Sequence, residues 1–163
     1  MGLERTVKNA WNWVRSRVYR MQGDTHRYLG NNYGDLQQYW AAVEDYTRAI
    51  VLDPSYAEPY YSRGVLYWRE IGNHYRAIQD LTRVLELDPA CAEAYFNRAL
   101  AYKLHQQPDK AIADLEQYLA IGKDRYWLEA AGRQLAELRD EPGWETGVPP
   151  DDKAKGSSET SEA

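Results

Sequence analysis

The sequence repeats itself at an interval of about 34 residues, and this self-similarity limits the fold more than any other feature. Similar tripeptides begin at Ala42, Ala77 and Ala111, which are 35 and 34 residues apart. Two further series have spacings of 34 and then 35 residues: Gly30, Gly64 and Ala99, and Tyr33, Tyr67 and Tyr102. Such a period is typical of a solenoid, in which each unit packs on its neighbours. The extra residue of the second unit lies near Ile71 and Gly72 and is predicted to lengthen a turn.

Each unit contains the pattern of two helices that cross closely. A small residue recurs in the first helix (helix A) and another in the second (helix B), because larger side chains would push the two helices apart. A larger residue follows four positions later in each helix B: Tyr46, Leu81 and Leu115. These features resemble the tetratricopeptide repeat, a helix–turn–helix unit of about 34 residues. The resemblance implies an all-α, right-handed superhelix of three repeats, at residues 23–56, 57–91 and 92–125.

Turn residues agree with these boundaries. Asp53-Pro54 and Asp88-Pro89 end helices B, because the residue before a proline avoids the α region. Gly34-Asp35 comes about three residues before the expected turn of repeat one, so its helix A is predicted to stop early. In repeat three, Tyr118 and Lys123 replace a small residue and a proline that are usual in the family. This departure predicts a last interface that is looser or specially adapted.

The segment after the repeats is predicted to have two parts. Residues 126–140 carry apolar residues at helical spacing and predict a capping helix, which the last repeat needs because it cannot bury both of its faces alone. Residues 141–163 are rich in Pro, Gly, Ser and charge, with a net charge of −4. Such a composition has little to bury and predicts a disordered acidic tail.

Residues 1–22 predict an additional basic amphipathic helix with a net charge of +4. One face of this helix holds an apolar stripe: Leu3, Val7, Trp11, Val14, Val18 and Met21. Two interpretations remain open at this point. The stripe packs on the first helix pair as an N-terminal cap, or residues 3–21 dock on a membrane surface or a partner, since Arg-rich helices with Trp bind anionic interfaces.

Composition and motifs argue against several classes of function. The chain of 163 residues has a net charge of −5 and no broad basic face, so no nucleic-acid partner is expected. No stretch approaches the run of about 18 apolar residues typical of a membrane span, and a cytoplasmic location is expected. The single cysteine, Cys91, excludes an internal disulfide. Phosphate loops, nucleophile motifs and metal-ligand spacings do not occur, so we expect no catalytic residue, no metal and no cofactor.

The family resemblance implies that helices A line the concave surface of the superhelix. The helix A positions that packing does not use predict a partner-binding groove formed by Arg27, Tyr28, Asn31, Tyr61, Ser62, Val65, Trp68, Arg69, Phe96, Asn97, Leu100 and Lys103. Exposed Tyr, Trp and Arg side chains dominate the energetics of interfaces. The amides are suited to holding an extended backbone, and Arg27, Arg69 and Lys103 favour an acidic segment.

Some chaperone-binding members of the family hold a C-terminal carboxylate through basic and amide residues of helices A. The matching positions here are Arg27, Asn31, Ser62, Glu93 and Asn97. Only the first pair fits, and Glu93 would repel a carboxylate. A clamp of this kind is therefore not expected.

Together these features predict a non-catalytic protein-interaction module: an adaptor, scaffold or assembly factor that binds a peptide or helix of another protein. Two alternatives accompany this prediction. The chain is a peripheral membrane scaffold that uses its basic N-terminal helix, or a homo-oligomer in which repeats stack between copies.

Overall fold

The computed structural model describes residues 2–140, with side chains from residue 6 onward. This range consists of helices and contains no strand: α1 (Gly2–Tyr33), α2 (Leu36–Leu52), α3 (Ala57–Leu66), α4 (His74–Leu87), α5 (Ala92–Leu104), α6 (Pro108–Ile121) and α7 (Arg125–Asp140). Helix α1 packs on α2, α3 on α4, and α5 on α6, and each pair forms one repeat. The predicted all-α solenoid of three repeats is confirmed. The predicted acidic tail, 141–163, lies outside the described residues.

The first helix is longer than predicted. The additional helix predicted at residues 1–22 and helix A of repeat one form a single helix, α1, of 32 residues, which is about 48 Å long. Gly23, at the predicted boundary, lies inside this helix and faces α2. A Cβ atom at Gly23 would lie 2.6 Å from the ring of Tyr46, so α2 approaches α1 closely only because this residue has no side chain.

The same contact occurs twice along the α1–α2 interface. Gly30 faces the ring of Tyr39, where a Cβ atom would again lie 2.6 Å away. The Tyr46 hydroxyl donates to Asp24 Oδ1 at 2.8 Å, and the Tyr39 hydroxyl donates to Asn31 Oδ1 at 3.1 Å. The ring of each tyrosine therefore packs over a glycine of α1, and its hydroxyl donates to the residue that follows that glycine. Since both pairs are seven residues apart, they hold α1 on α2 over two turns.

The turns within the repeats differ from one repeat to the next. Helix α1 stops early, as predicted, and Gly34 has a positive φ of 63°. In repeat two, α3 continues into a π-helical turn, Tyr67–Ile71, before Gly72 ends it with a φ of 74°. The extra residue of this repeat is thus taken up inside the helix, and the prediction that it lengthens the turn is wrong. A π-helical turn accommodates one additional residue without breaking the helix.

Two half-buried arginines connect successive repeats. Arg63 of α3 donates from Nε and Nη2 to the two carboxylate oxygens of Asp80 at 2.8 Å each, and from Nη1 to Thr47 Oγ1 of the preceding repeat at 2.7 Å. Burial lowers the pKa of Arg63, but the hydrogen bonds and charge of Asp80 outweigh this effect and raise it. Arg98 makes the same set of bonds with its counterparts one repeat later, Asp114 and Thr82. Each guanidinium therefore joins three helices of two repeats.

Helix α7 corresponds to the predicted capping helix, 126–140. Its residues Ala131, Leu135 and Leu138 are buried in one cluster with residues of α5 and α6. Tyr118, which stands where the family usually has a small residue, is buried in this cluster with its ring centroid 5.2 Å from that of Phe96. The last interface is adapted around the larger ring.

The apolar stripe of α1 does not pack on the helix pair. Its described members are exposed, by 43% to 63% of their accessible surface: Val7, Trp11, Val14, Val18 and Met21. The interpretation of the stripe as a packed N-terminal cap is therefore wrong. Helix α2 packs on the opposite face of α1, the face of Gly23 and Gly30, because only there can the helices approach closely. The side chain of Leu3 lies outside the described residues.

Candidate partner-binding groove

The predicted groove residues lie on α1, α3 with its π-helical turn, and α5. The structure divides them into three groups. The first, on α1, comprises Arg27, Tyr28 and Asn31. The second, at the centre, comprises Tyr61, Ser62, Val65, Trp68, Arg69 and Asn97. The third, next to α7, comprises Phe96, Leu100 and Lys103.

The central group contains a hydrogen-bonded cluster of three side chains from two repeats. Asn97 Nδ2 of α5 donates to the Tyr61 hydroxyl at 3.0 Å and to the backbone oxygen of Glu93 at 2.7 Å. The indole Nε1 of Trp68 donates to Asn97 Oδ1 at 3.3 Å. Both amide hydrogens of Asn97 are therefore in use. Its role is to position the two aromatic rings, and it has no donor left for the backbone of a bound segment.

We call Tyr61, Trp68 and Asn97 the aromatic platform. Burial, followed by the charges of Cys91 and Glu93, raises the pKa of Tyr61 to about 12, so its hydroxyl stays protonated at neutral pH. The guanidinium of Arg69 lies 5.8 Å from the Trp68 ring centroid, and its side chain is exposed. Both residues are half-buried, and each packs against a buried cluster of the core. Such rigid, amphipathic rings give large contact area at little cost in conformational entropy.

A cleft of about 360 Å³ adjoins the platform at Tyr61. Ser62 and Glu93 also line this cleft, together with Arg20 of α1. Two further carboxylates, Glu58 and Asp88, belong to its wall, and Arg20 Nε lies 3.3 Å from Glu58 Oε2. Carboxylates thus outnumber cations at this end of the groove.

The α1 end of the groove is more open. Tyr28 is 66% exposed, and Asn31 is exposed while its Oδ1 accepts the hydrogen bond of Tyr39. Arg27 is half-buried. Tyr28 and Asn31 are therefore accessible beside the central group.

The end of the groove next to α7 is partly covered, and the prediction for Phe96 is wrong because its side chain is buried. Phe96 is buried, with its ring centroid 5.4 Å from that of Trp127, so it belongs to the core and not to the groove. Leu100 is half-buried against the same core cluster. Lys103 Nζ donates to Gln134 Oε1 at 3.0 Å and to Glu137 Oε2 at 2.9 Å, because α7 lies directly beside it.

The three cations that favour an acidic segment each have a carboxylate nearby. Arg27 lies 4.0 Å from Asp24, Arg69 lies 3.9 Å from Glu70, and Lys103 is bonded to Glu137. An acidic segment would have to compete with these internal pairs. The preference for an acidic partner stays a prediction.

A second cleft, of about 550 Å³, was missed by the sequence reasoning. It lies on the outer side, between helices B of the first two repeats, and is lined by Trp40 and Arg76 as well as by the ion pair of Arg63 and Asp80. Repeat spacing does not show an open space between outer helices. Within residues 2–140, no group of three or more His, Cys, Asp or Glu side chains is arranged to hold a metal ion.

Comparison with protein families identifies the class to which the chain belongs. A family described as "TPR repeat" matches residues 30–70, and one described as "Tetratricopeptide repeat" matches residues 69–126. The chain is a member of the tetratricopeptide-repeat family. Its repeats form a protein-interaction module of a generally non-enzymatic class. No curated protein matches the sequence.

Several solved structures share the fold. The first TPR of Spaghetti (RPAP3), bound to the HSP90 peptide SRMEEVD, has 20% identity and a TM-score of 0.68, and covers 78% of this chain and 92% of its own. The Arabidopsis OM64 TPR domain has 26% identity and a TM-score of 0.67, with coverages of 77% and 98%. PcrH, in complex with the chaperone binding region of PopD, has 17% identity and a TM-score of 0.61, with coverages of 71% and 90%.

The positions of the carboxylate clamp allow a direct prediction. Glu93 is exposed and lines the cleft beside Tyr61, so its charge opposes a C-terminal carboxylate. We expect the wild type to bind the peptide SRMEEVD no better than its C-terminally amidated form. Glu93→Lys should bind the free-carboxylate peptide about tenfold more tightly than the wild type, because it replaces repulsion by attraction. Fluorescence anisotropy with labelled peptides measures both.

The control for this substitution is Glu86→Lys, which makes the same charge change at an exposed position of the outer helix α4. It should leave the peptide affinity unchanged. The account is contradicted if the wild type binds the free-carboxylate peptide SRMEEVD tightly and does not bind the C-terminally amidated peptide. That result would show that a working clamp exists despite Glu93.

Proposed function

We propose that the concave face of this protein binds a segment of another protein, with the aromatic platform as its main contact. The chain would act as an adaptor, scaffold or assembly factor that holds the segment and catalyses nothing. The observation that carries this proposal is the platform itself. Two half-buried rings of repeat two, Tyr61 and Trp68, are held by one asparagine of repeat three, Asn97.

The energetics of interfaces support the central position of the platform. Trp and Tyr are enriched among the residues whose truncation weakens binding most, especially where their rings are already positioned. Asn97 holds Tyr61 and Trp68 before any partner arrives, so binding does not have to order these side chains. The exposed Tyr28 and Arg69 lie where they can extend the contact on either side.

The coverage of the groove by α7 suggests how a segment would lie. Phe96, Leu100 and Lys103 pack against or bond to α7, so the accessible surface runs from Tyr28 and Asn31 to the platform. A peptide or a single helix fits a surface of this size better than a folded domain does. The segment is selected by apolar and aromatic groups that meet the rings, and the carboxylates at Glu58 and Glu93 oppose a terminal carboxylate.

Peptide selection followed by affinity measurement tests this function. A random library of displayed peptides is selected on the full chain, and the Kd of each enriched peptide is measured by isothermal titration calorimetry. Trp68→Ala should weaken these peptides by about thirtyfold, which corresponds to a loss of about 2 kcal/mol at a central interface residue. Asn97→Leu should also weaken them, because the two rings lose their fixed positions.

The matched control is Trp40→Ala, which removes the same type of side chain from the outer surface. It should change the Kd by less than about twofold. Circular dichroism melting curves identify any variant that has lost its fold. Arg69→Glu changes an exposed groove residue, so it should weaken peptide binding without unfolding the chain. Peptides that bind Trp68→Ala, Asn97→Leu and Arg69→Glu as tightly as the wild type would show that the groove assignment is wrong.

A further inference from the structure

The described apolar residues of α1 form a second candidate interaction surface, which we call the α1 stripe: Val7, Trp11, Val14, Val18 and Met21. Three of its members lie nine residues before a buried residue of the same helix: Val7 before Ser16, Val14 before Gly23, and Met21 before Gly30. Nine residues are two and a half turns of an α-helix, so the stripe lies on the face opposite the one that packs. A flat surface can therefore touch the stripe without meeting α2.

The first part of α1 extends away from the rest of the fold. From Thr6 to Arg15 every side chain is exposed except Asn12, which is half-buried. The first long-range anchor is Arg17, which binds Asp53 just after the end of α2 and lies with its guanidinium 3.9 Å from the ring centroid of Tyr56. The stripe extends for about 21 Å, from Val7 to Met21. One exposed Trp and four exposed Val or Met residues on a projecting helix are a surface that a partner is expected to cover.

The charge of this segment indicates which partner covers it. Residues 6–22 contain Lys8, Arg15, Arg17 and Arg20 and no carboxylate. Arg17 and Arg20 are paired with Asp53, Asp24 and Glu58 of this chain. No ion pair within the described residues involves Lys8 or Arg15. Both lie beside the stripe on the same flank, about 60° (Arg15) and about 80° (Lys8) from Val18 around the helix.

We propose that the α1 stripe lies on an anionic membrane surface, with its apolar side chains in the headgroup region and Lys8 and Arg15 against lipid phosphates and carboxylates. Helices that bind in this way combine Val, Leu or Trp on one face with Lys and Arg beside it. No helix within residues 2–140 is long and apolar enough to span a membrane, so α1 lies along the surface. The aromatic platform, on α3 with its π-helical turn and on α5, remains available to a partner.

A second copy of the chain is a less suitable partner for the stripe. The charged residues that flank it without an ion pair among the described residues, Lys8 and Arg15, are both basic, and two copies of α1 side by side would place like charges together. The stripe also covers only about two heptads, whereas coiled coils are usually indicated by three or four. Anionic lipid removes the repulsion and covers the stripe at the same time.

Co-sedimentation of the full chain with vesicles tests the proposal. Vesicles of phosphatidylcholine with about 30% phosphatidylserine should pellet the protein, and vesicles of pure phosphatidylcholine should pellet much less. Trp11→Gln should weaken binding about tenfold, and Lys8→Gln with Arg15→Gln should weaken binding to the anionic vesicles several-fold. Raising the ionic strength should also weaken it. Substitutions are preferable to a truncation at residue 22, which would divide α1 in the middle.

Two controls keep the interpretation clear. Trp13→Gln changes the same type of residue on the same exposed segment but outside the stripe. The ring centroid of Trp13 lies 4.6 Å from the guanidinium carbon of Arg17. This variant should bind the vesicles as the wild type does. Trp68→Ala should also pellet normally, since Trp68 belongs to repeat two and not to the α1 stripe. Equal, negligible pelleting with both vesicles would overturn the proposal. A dimer in light scattering that Trp11→Gln dissociates would overturn it as well, and would assign the stripe to self-association.

Discussion

Arg63→Met should lower the free energy of unfolding by about 3–5 kcal/mol, the largest effect we expect from any single charge removal in this chain. The Asp80 carboxylate is almost fully buried, and both of its oxygens accept from Arg63 at 2.8 Å. Removal of the guanidinium leaves this carboxylate without its partner in a place that water reaches poorly. The bond to Thr47, which joins repeat two to repeat one, is lost at the same time. Urea unfolding followed by circular dichroism measures the change.

The double variant Arg63→Met with Asp80→Leu distinguishes the cost of an unpaired charge from the value of the pair. Replacement of a buried ion pair by apolar residues of similar size is often close to neutral, so the double variant should recover to within about 1 kcal/mol of the wild type. Arg125→Met removes a largely exposed arginine and should not move the unfolding midpoint measurably. A double variant as unstable as Arg63→Met alone would contradict this account of the network.

Tyr46→Ala should cost about 3–5 kcal/mol, the range for removing a large buried ring. The ring is fully buried and fills the space that Gly23 leaves open between α1 and α2. Burial, and then the hydrogen bond to Asp24, raises the pKa of Tyr46 far above its usual value, so the hydroxyl stays protonated and donates. Tyr46→Phe keeps the ring and loses only this bond, and should cost about 1 kcal/mol. Urea unfolding measures both variants.

Gly23→Ala provides a sharper test of the same contact. In the wild type the new Cβ atom would meet the Tyr46 ring at 2.6 Å, so the substitution should destabilise the chain. In the Tyr46→Ala background that obstacle is gone, and alanine should stabilise α1 by up to about 1 kcal/mol through its higher helix propensity. If Gly23→Ala is harmless in the wild type, α1 and α2 are not held by this contact.

The repeats could be predicted because their signals recur. Small residues, turn residues and apolar positions at one period indicate three helix pairs and a cap, and α7 lies where residues 126–140 were predicted to form it. The end of α1 at Tyr33 followed from Gly34-Asp35. Asp45, Asp80 and Asp114 form a further series at 35 and 34 residues. That series is the sequence signal for the buried partners of Arg63 and Arg98, Asp80 and Asp114.

Other features depend on side-chain contacts that spacing does not reveal. The continuity of α1 follows from the fit of Tyr46 over Gly23, and a glycine alone does not show whether it ends a helix or admits a neighbour. Phe96 and Asn97 are adjacent on α5, yet one faces the core and the other the platform, so a small error in helix rotation exchanges their roles. The two donor bonds of Asn97 likewise follow from the positions of Tyr61 and Glu93.

The most direct test of the proposed function is where a bound segment lies. We suggest titrating the isotopically labelled full chain with a peptide obtained by selection, and following amide, indole and side-chain amide signals by nuclear magnetic resonance. The account predicts that the largest shifts occur at the Trp68 indole, the Asn97 side-chain amide and the backbone around Tyr61. Shifts concentrated on the outer helices α2, α4 and α6, with the Trp68 and Asn97 signals unmoved, would contradict it.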